Sequence, residues 1–198
     1  MERVAKAWQK RFETVWDLNG PGRYREGSPG QRMIKIFVQY LLRRQTVNDY
    51  GSGTGRAAME LLKYRPGTRI NMIDIATNAL EQPALTELAK TGTTLTFTHS
   101  ALEDLPEDFP HADWGYCIEV LCFVNPDKLD AILKNIHRTC DRLFCQVYSW
   151  QDRRCGYELT TIIMDKEGWR KKLLELWRYV EPIPHPETAN RYLYICGK

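Results

Sequence analysis

The chain has 198 residues, 43% of them apolar and 27% charged, with a net charge of only +3. A chain of this length buries about 70% of the surface that its unfolded form exposes, and this composition excludes a disordered segment, a fibre and a disulfide scaffold. No apolar run approaches the ~18 residues of a membrane span, and the stretch from Met1 to Arg11 has no apolar signal core, so neither a membrane nor export is expected and the cytoplasm is the expected location.

Read in chain order, residues 3–17 carry Val4, Trp8, Phe12, Val15 and Trp16 near helical spacing. A loop follows, bracketed by Asn19-Gly20-Pro21-Gly22 and Gly27-Ser28-Pro29-Gly30, before a second predicted helix over 31–44. From there strands and helices alternate. Strands are predicted at 46–50, 69–73, 93–98, 115–121, 143–148 and 191–196, and helices at 56–64, 83–90, 126–139 and 166–177. Such alternation predicts an α/β fold, a mostly parallel sheet covered by helices on both faces, in a single domain with two amino-terminal helices over 1–45 before the core at 46–198. Sites on doubly wound sheets lie outside the carboxyl ends of the strands.

Charge is spread unevenly: a net +6 over 1–45, −6 over 46–141 and +3 over 142–198. An acidic middle between basic ends suits a cationic ligand in the centre, although an ordinary mixed surface gives the same sums. The six cysteines, Cys117, Cys122, Cys140, Cys145, Cys155 and Cys196, include no pair at metal or redox spacing and read as reduced core thiols. No two of the four histidines stand at metal-binding spacing, so no metal site is expected.

The loop after the first predicted strand is Asp49-Tyr50-Gly51-Ser52-Gly53-Thr54-Gly55. Its Gly-x-Gly-x-Gly spacing is neither the dinucleotide fingerprint nor a phosphate-binding P-loop. Glycines here let backbone approach a ligand through torsions that a side chain forbids. Asp49 ends the strand where a carboxylate can accept from an amine, and nineteen residues beyond Gly55 a second acid, Asp74, ends the next strand. An acid at that separation can hold both hydroxyls of a ribose.

From about Thr46 onward the chain resembles the class I S-adenosylmethionine-dependent methyltransferases, which implies a seven-stranded Rossmann-like sheet and S-adenosyl-L-methionine as cofactor. Asp49, Gly51, Ser52, Gly53 and Gly55 match the family's glycine motif, which carries the methionine moiety, and Asp74 with Ile75 matches the ribose-binding strand end. Residues 97–106 resemble the segment that packs on adenine; Ala101 stands where many members have Asp, leaving backbone groups near Ala101 and Leu102 for that contact. Asp113 to Leu121 resembles the fourth strand, with Glu119 where members often carry an acid and expected at the cofactor with Asp49 and Asp74, whereas Cys122-Phe123 replaces a frequent Glu-His. The amino-terminal helices resemble the variable cap, where Tyr24 and Ser28 are candidates.

The expected reaction is in-line methyl transfer to an O or N of a small-molecule or nucleotide-like acceptor. A catalytically silent module that binds the cofactor is the alternative, and a nicotinamide oxidoreductase is disfavoured by the glycine spacing. Candidate catalytic groups are Glu119, Tyr148, Glu158 and His185, the last two in loops after the fifth strand and before the final one. Tyr148, Ser149, Trp150, Tyr157, Thr160, Thr161 and Trp169 are acceptor-pocket candidates that equally suit a core cap. The fourth-strand segment has no Asn-Pro-Pro-aromatic motif and no Pro-Cys nucleophile, which speaks against duplex DNA as substrate.

Overall fold

The structure, a computed structural model, describes residues 6–10, 28–148, 161–186, 189 and 191–198. Helix α1 is seen over residues 6–10, and the rest of the predicted 3–17 helix lies outside the described residues. The other elements are α2 (Pro29–Phe37), β1 (Thr46–Tyr50), α3 (Arg56–Tyr64), β2 (Arg69–Asp74), α4 (Gln82–Leu88), β3 (Leu95–His99), β4 (Ala112–Ile118), α5 (Leu129–Thr139), β5 (Cys140–Tyr148), α6 (Lys166–Leu174), β6 (Tyr179–Ile183) and β7 (Arg191–Gly197).

The seven strands form one sheet in the order β3-β2-β1-β4-β5-β7-β6. The chain moves outward from β1 through β2 to β3, then returns to the other side of β1 as β4, so the switch point of the topology lies between β1 and β4. Strands β1 to β5 pair in parallel, while β7 runs antiparallel to both β5 and β6. The sheet is therefore mixed. Reversal of β7 brings its first residue, Arg191, opposite Tyr148 at the end of β5.

Period-two alternation divides the core between the two faces. Leu143, Cys145 and Val147 of β5 and Tyr194 and Cys196 of β7 face a core completed by Ile132, Leu133 and Ile136 of α5 and Trp169 and Leu173 of α6. Phe144, Leu193 and Ile195 face the opposite core, with Met33, Ile34 and Phe37 of α2 and Ala57, Ala58 and Leu61 of α3. Phe37 is its centre, 5.0 Å from the ring of Tyr116 and 5.3 Å from that of Phe144. Ser28 caps α2, its Oγ accepting from the Gln31 N–H at 3.2 Å with Pro29 at the first helical position. The helix thus starts two residues before the predicted 31–44 span, and its regular part ends at Phe37.

Three predicted strands shift. The 93–98 strand is Leu95–His99, and β5 starts at Cys140, directly after Thr139 of α5 with no loop between them. The 115–121 strand is instead Ala112–Ile118, because Glu119 takes φ +58° and Leu121–Phe123 coils into a 3-10 turn. Apolar Val120, Leu121 and Cys122 extend the apolar run past the point where the backbone turns. Strand β6, with Pro182 and Pro184 in or beside it, escapes the sequence pattern, as edge strands with proline do.

Five described cysteines are buried free thiols, and Cys155 lies outside the described residues. Among the described residues no helix is long and apolar enough to cross a membrane, and no cluster of metal-ligating side chains occurs.

Candidate active site

The glycine loop runs from the end of β1 to α3 with φ +72°, +51° and +76° at Gly51, Gly53 and Gly55. Two of these glycines also admit a neighbour. A Cβ on Gly51 would overlap the methyls of Val120 from the loop after β4, and one on Gly55 would lie 2.7 Å from the Cβ of Ala84 in α4. The loop is pinned from beneath, since Gly51 and Ser52 N–H both donate to the Ile73 carbonyl, at 2.8 and 3.0 Å.

Two carboxylates flank this loop. Asp74 is 8% exposed; its Oδ2 accepts from Gly53 N–H and its Oδ1 from Ala76 N–H, both at 2.8 Å. Each oxygen keeps a lone pair for a further donor. Burial raises the Asp74 proton affinity, and the N–H donors of Ala76, Gly53 and Ile75 work against that rise. Asp49 is 5% exposed, and its Oδ2 is buried with no hydrogen-bond partner among the described residues; Ser52 Oγ is in the same condition. Burial, and then the nearby Asp74 charge, push the Asp49 carboxyl up to about 7. Buried polar atoms are rarely left without partners, so this pair marks where a ligand completes the site. A cationic or amine-bearing ligand suits an uncompensated carboxylate.

Beside them, Ile75 follows Asp74, and its carbonyl lies 3.0 Å from His99 Nε2. Ala101 and Leu102 are buried after β3, and the Leu102 carbonyl accepts from Asn135 Nδ2 of α5 at 2.9 Å. The residues predicted to surround the cofactor thus fall at the carboxyl ends of β1, β2 and β3, Asp49 and Asp74 within the last two residues of their strands and the others in the loops beyond, with Glu119 on the loop after β4.

A second polar cluster sits at the ends of β4 and β5. Glu119 Oε1 accepts from Gln146 Nε2 at 2.6 Å and pairs with Arg191 Nη1 at 3.0 Å, while its Oε2 accepts from the Tyr148 hydroxyl. The Arg191 guanidinium lies over the Tyr148 ring, 5.2 Å from its centroid. His185 Nε2 stands 3.1 Å from Gln146 Oε1. Burial raises the Glu119 proton affinity, and Arg191, Tyr148, Arg32 and Gln146 lower it in turn. Phe123 packs edge-on against Tyr148 at 6.0 Å and against Trp8 of α1 at 5.3 Å. Asn78, after β2, donates to the Gln9 carbonyl at 3.1 Å, so α1 touches both the β2 side and the β4 side of the site.

Three of the four catalytic candidates, Glu119, Tyr148 and His185, therefore belong to one network; Glu158 lies outside the described residues, as do Tyr24, Ser149, Trp150, Tyr157 and Thr160. Trp169 is fully buried with its Nε1–H on the Tyr148 carbonyl at 3.2 Å, which makes it core, and Thr161 N–H binds the Cys122 carbonyl at 2.9 Å. Sequence reasoning missed Gln146, Arg191 and Arg32. Gln146 did leave a signal: a lone amide inside an apolar strand, only 1% exposed. Arg191 left none, because only the antiparallel return of β7 carries it to Glu119.

Strand order and glycine loop together define a Rossmann-like class I methyltransferase fold. A sequence model described as the methyltransferase domain matches residues 47–142. The matched residues run from β1 to the start of β5 and include the glycine loop, Asp74 and Glu119. A search of curated proteins finds no match. Among solved structures, the chain is similar to 1,6-didemethyltoxoflavin-N1-methyltransferase of Burkholderia thailandensis bound to 1,6-didemethyltoxoflavin and S-adenosylhomocysteine, at 18% identity and TM-score 0.73 over 100% of this chain and 88% of that one. It is also similar to magnesium protoporphyrin IX methyltransferase of Synechocystis PCC 6803 with S-adenosylhomocysteine, at 15% identity and TM-score 0.71 over 98% and 99% of the two chains. A small RNA methyltransferase gives 14% identity and TM-score 0.70 over 91% of this chain and 27% of that one.

Proposed function

We propose that the protein transfers a methyl group from S-adenosyl-L-methionine to an O or N atom of a small-molecule or nucleotide-like acceptor. The observation that carries the cofactor half is the pair of buried polar atoms, Asp49 Oδ2 and Ser52 Oγ, facing a loop of left-handed glycines beside Asp74. Gly51, Ser52, Gly53 and Gly55 would cradle the methionine moiety, with Asp49 accepting from its amine. Asp74, with Ile75 behind it, would take the ribose hydroxyls through its remaining lone pairs, and the backbone of Ala101 and Leu102 would meet the adenine. Glu119, joined to the glycine loop through Val120, would stand at the boundary with the acceptor. Bound there, the cofactor supplies a methyl on a cationic sulfur that departs as a neutral thioether.

The protein's own contribution is then to hold the acceptor in line and to keep water out. Near-attack positioning alone can supply ~7–11 kcal/mol of the barrier. Helix α1, bridging Phe123 and Asn78, would act as part of a cap over the site, whereas α2 packs into the core with Phe37 on Tyr116 and Phe144. The acceptor class draws support from the neighbours, whose named substrates are a toxoflavin precursor and a porphyrin. The buried free thiols agree with a reducing cytoplasm as the place of work. Calorimetry with S-adenosylhomocysteine tests the reading: micromolar binding, about −8 kcal/mol, is expected, and folded protein that binds neither this product nor S-adenosylmethionine contradicts it. Label transfer from methyl-labelled cofactor to a small-molecule panel then identifies the acceptor.

A further inference from the structure

Glu119 differs from the other acids of the site. Its backbone sits at φ +58°, a conformation that non-glycine residues rarely adopt. Such strain persists where the surroundings over-determine it, and it collects at functional sites. What holds it is visible: Glu119 N–H donates to the Gln146 carbonyl at 3.0 Å, and the side chain turns back to the Gln146 amide of the same residue. Val120, next in sequence, is locked against Gly51. The turn fixes one carboxylate at the junction of the cofactor loop and the ends of β4, β5 and β7.

The carboxylate is also asymmetric. Oε1 holds two donors, Gln146 Nε2 and Arg191 Nη1, whereas Oε2 holds the Tyr148 hydroxyl and has capacity for one more proton. His185 Nε2 against Gln146 Oε1 orients that amide so that its NH2 points at Glu119. Arg191 stacked on Tyr148 keeps the phenol ring in place. Tyr148 of this cluster meets Phe123 edge-to-face, and Phe123 meets Trp8 of α1 in the same way. Aromatic walls with a few fixed polar groups suit flat organic ligands.

We infer that this site takes a planar aromatic or heteroaromatic acceptor whose nucleophilic atom still carries its proton, a phenolic O–H or a ring N–H, and that Glu119 Oε2 receives that proton. The inference rests on the methyltransferase reading above. In the step, the bond from the methyl carbon to sulfur breaks as its bond to the acceptor O or N forms. The acceptor proton moves to Glu119, the carboxylate becomes a neutral acid, and the sulfonium charge is cancelled in the same event. Glu119 is then the catalytic base. Tyr148, Gln146, Arg191 and His185 are positioning residues that set its orientation, the first three directly and His185 through Gln146.

The test is binding of fragment pairs to the S-adenosylhomocysteine-loaded protein by ligand-observed NMR and calorimetry. Each pair is a planar phenol or azole and its O-methyl or N-methyl counterpart. The protonated members are expected to bind at least tenfold tighter than their methylated partners, and Glu119→Gln is expected to reduce the difference to within threefold. Glu119→Asp, which keeps the charge but draws the carboxylate back from the acceptor, is expected to reduce the difference to within threefold as well; it serves where Glu119→Gln does not fold. Loaded protein that binds no fragment, or binds both members of each pair equally, overturns this inference and leaves the methyltransferase reading intact. Absence of S-adenosylhomocysteine binding overturns both.

Discussion

Two halves of the same sheet edge are built on opposite electrostatic plans. At the ends of β1 and β2, Asp49 and Asp74 are both buried; backbone N–H groups satisfy Asp74, and one Asp49 oxygen has no partner among the described residues. At the ends of β4, β5 and β7, Glu119 is buried to a similar depth, but donors from Gln146, Arg191 and Tyr148 surround it. The first half leaves a carboxylate oxygen unpaired among the described residues, whereas the second surrounds its carboxylate with donors from the protein. This is the arrangement expected when one half binds a charged cofactor and the other must hold a carboxylate ionised until a proton arrives.

The largest effect that would sharpen this contrast is expected at Asp74. Asp74→Ala removes both the ribose acceptors and the ties to Gly53 and Ala76, and should weaken S-adenosylhomocysteine binding by about 100-fold, ~2.7 kcal/mol, measured by calorimetry. Gly51→Ala forces a Cβ into Val120 at φ +72° and should lower unfolding stability by ~2–4 kcal/mol in urea titrations. A variant as stable as the parent would show that the loop yields easily.

Asp49→Asn comes next and has a pH signature. The Asp49 carboxyl stands at about 7 in the fold, against 3.8 as its ordinary value, with Asp74 of β2 and Tyr116 and Cys117 of β4 as the titratable groups facing it. A raised carboxyl stabilises the fold fully below the ordinary value, and that contribution is lost as pH rises towards 7. Stability of the ligand-free protein should therefore fall between about pH 4 and pH 7, by a few kcal/mol at most. Asp49→Asn should flatten the slope, and weaken S-adenosylmethionine binding by about tenfold at pH 8, as charge-assisted hydrogen bonds are lost. The smallest effect is expected at Glu119: Glu119→Gln should leave S-adenosylhomocysteine affinity within about threefold. A loss as large as that of Asp74→Ala would erase the distinction between the halves.

The half proposed for the cofactor is legible in the sequence because its requirements are local. A left-handed turn demands glycine, and the acid that follows one strand later is fixed by the length of a strand-helix-strand unit. Asp49, the three glycines and Asp74 are therefore readable in one stretch of 26 residues. The acceptor half depends on contacts between distant segments. Glu119 meets Arg191 only because β7 inserts between β5 and β6 in the opposite sense, and that reversal has no periodicity to mark it. Strand β6 was missed for a related reason, since an edge strand with Pro182 has little pattern of its own. Glu119 falls inside the predicted 115–121 strand, and its positive φ, which turns the backbone out of β4, has no sequence signal.

The central claim is that the two carboxylate sites are functionally separate, one for the cofactor and one for the acceptor. The most direct measurement is a calorimetric titration of S-adenosylhomocysteine into wild type, Asp74→Ala and Glu119→Gln under one set of conditions. Micromolar binding to wild type and Glu119→Gln, with about a 100-fold loss in Asp74→Ala, is the predicted result. Equal affinity in wild type and Asp74→Ala, or equal loss in both variants, would contradict it.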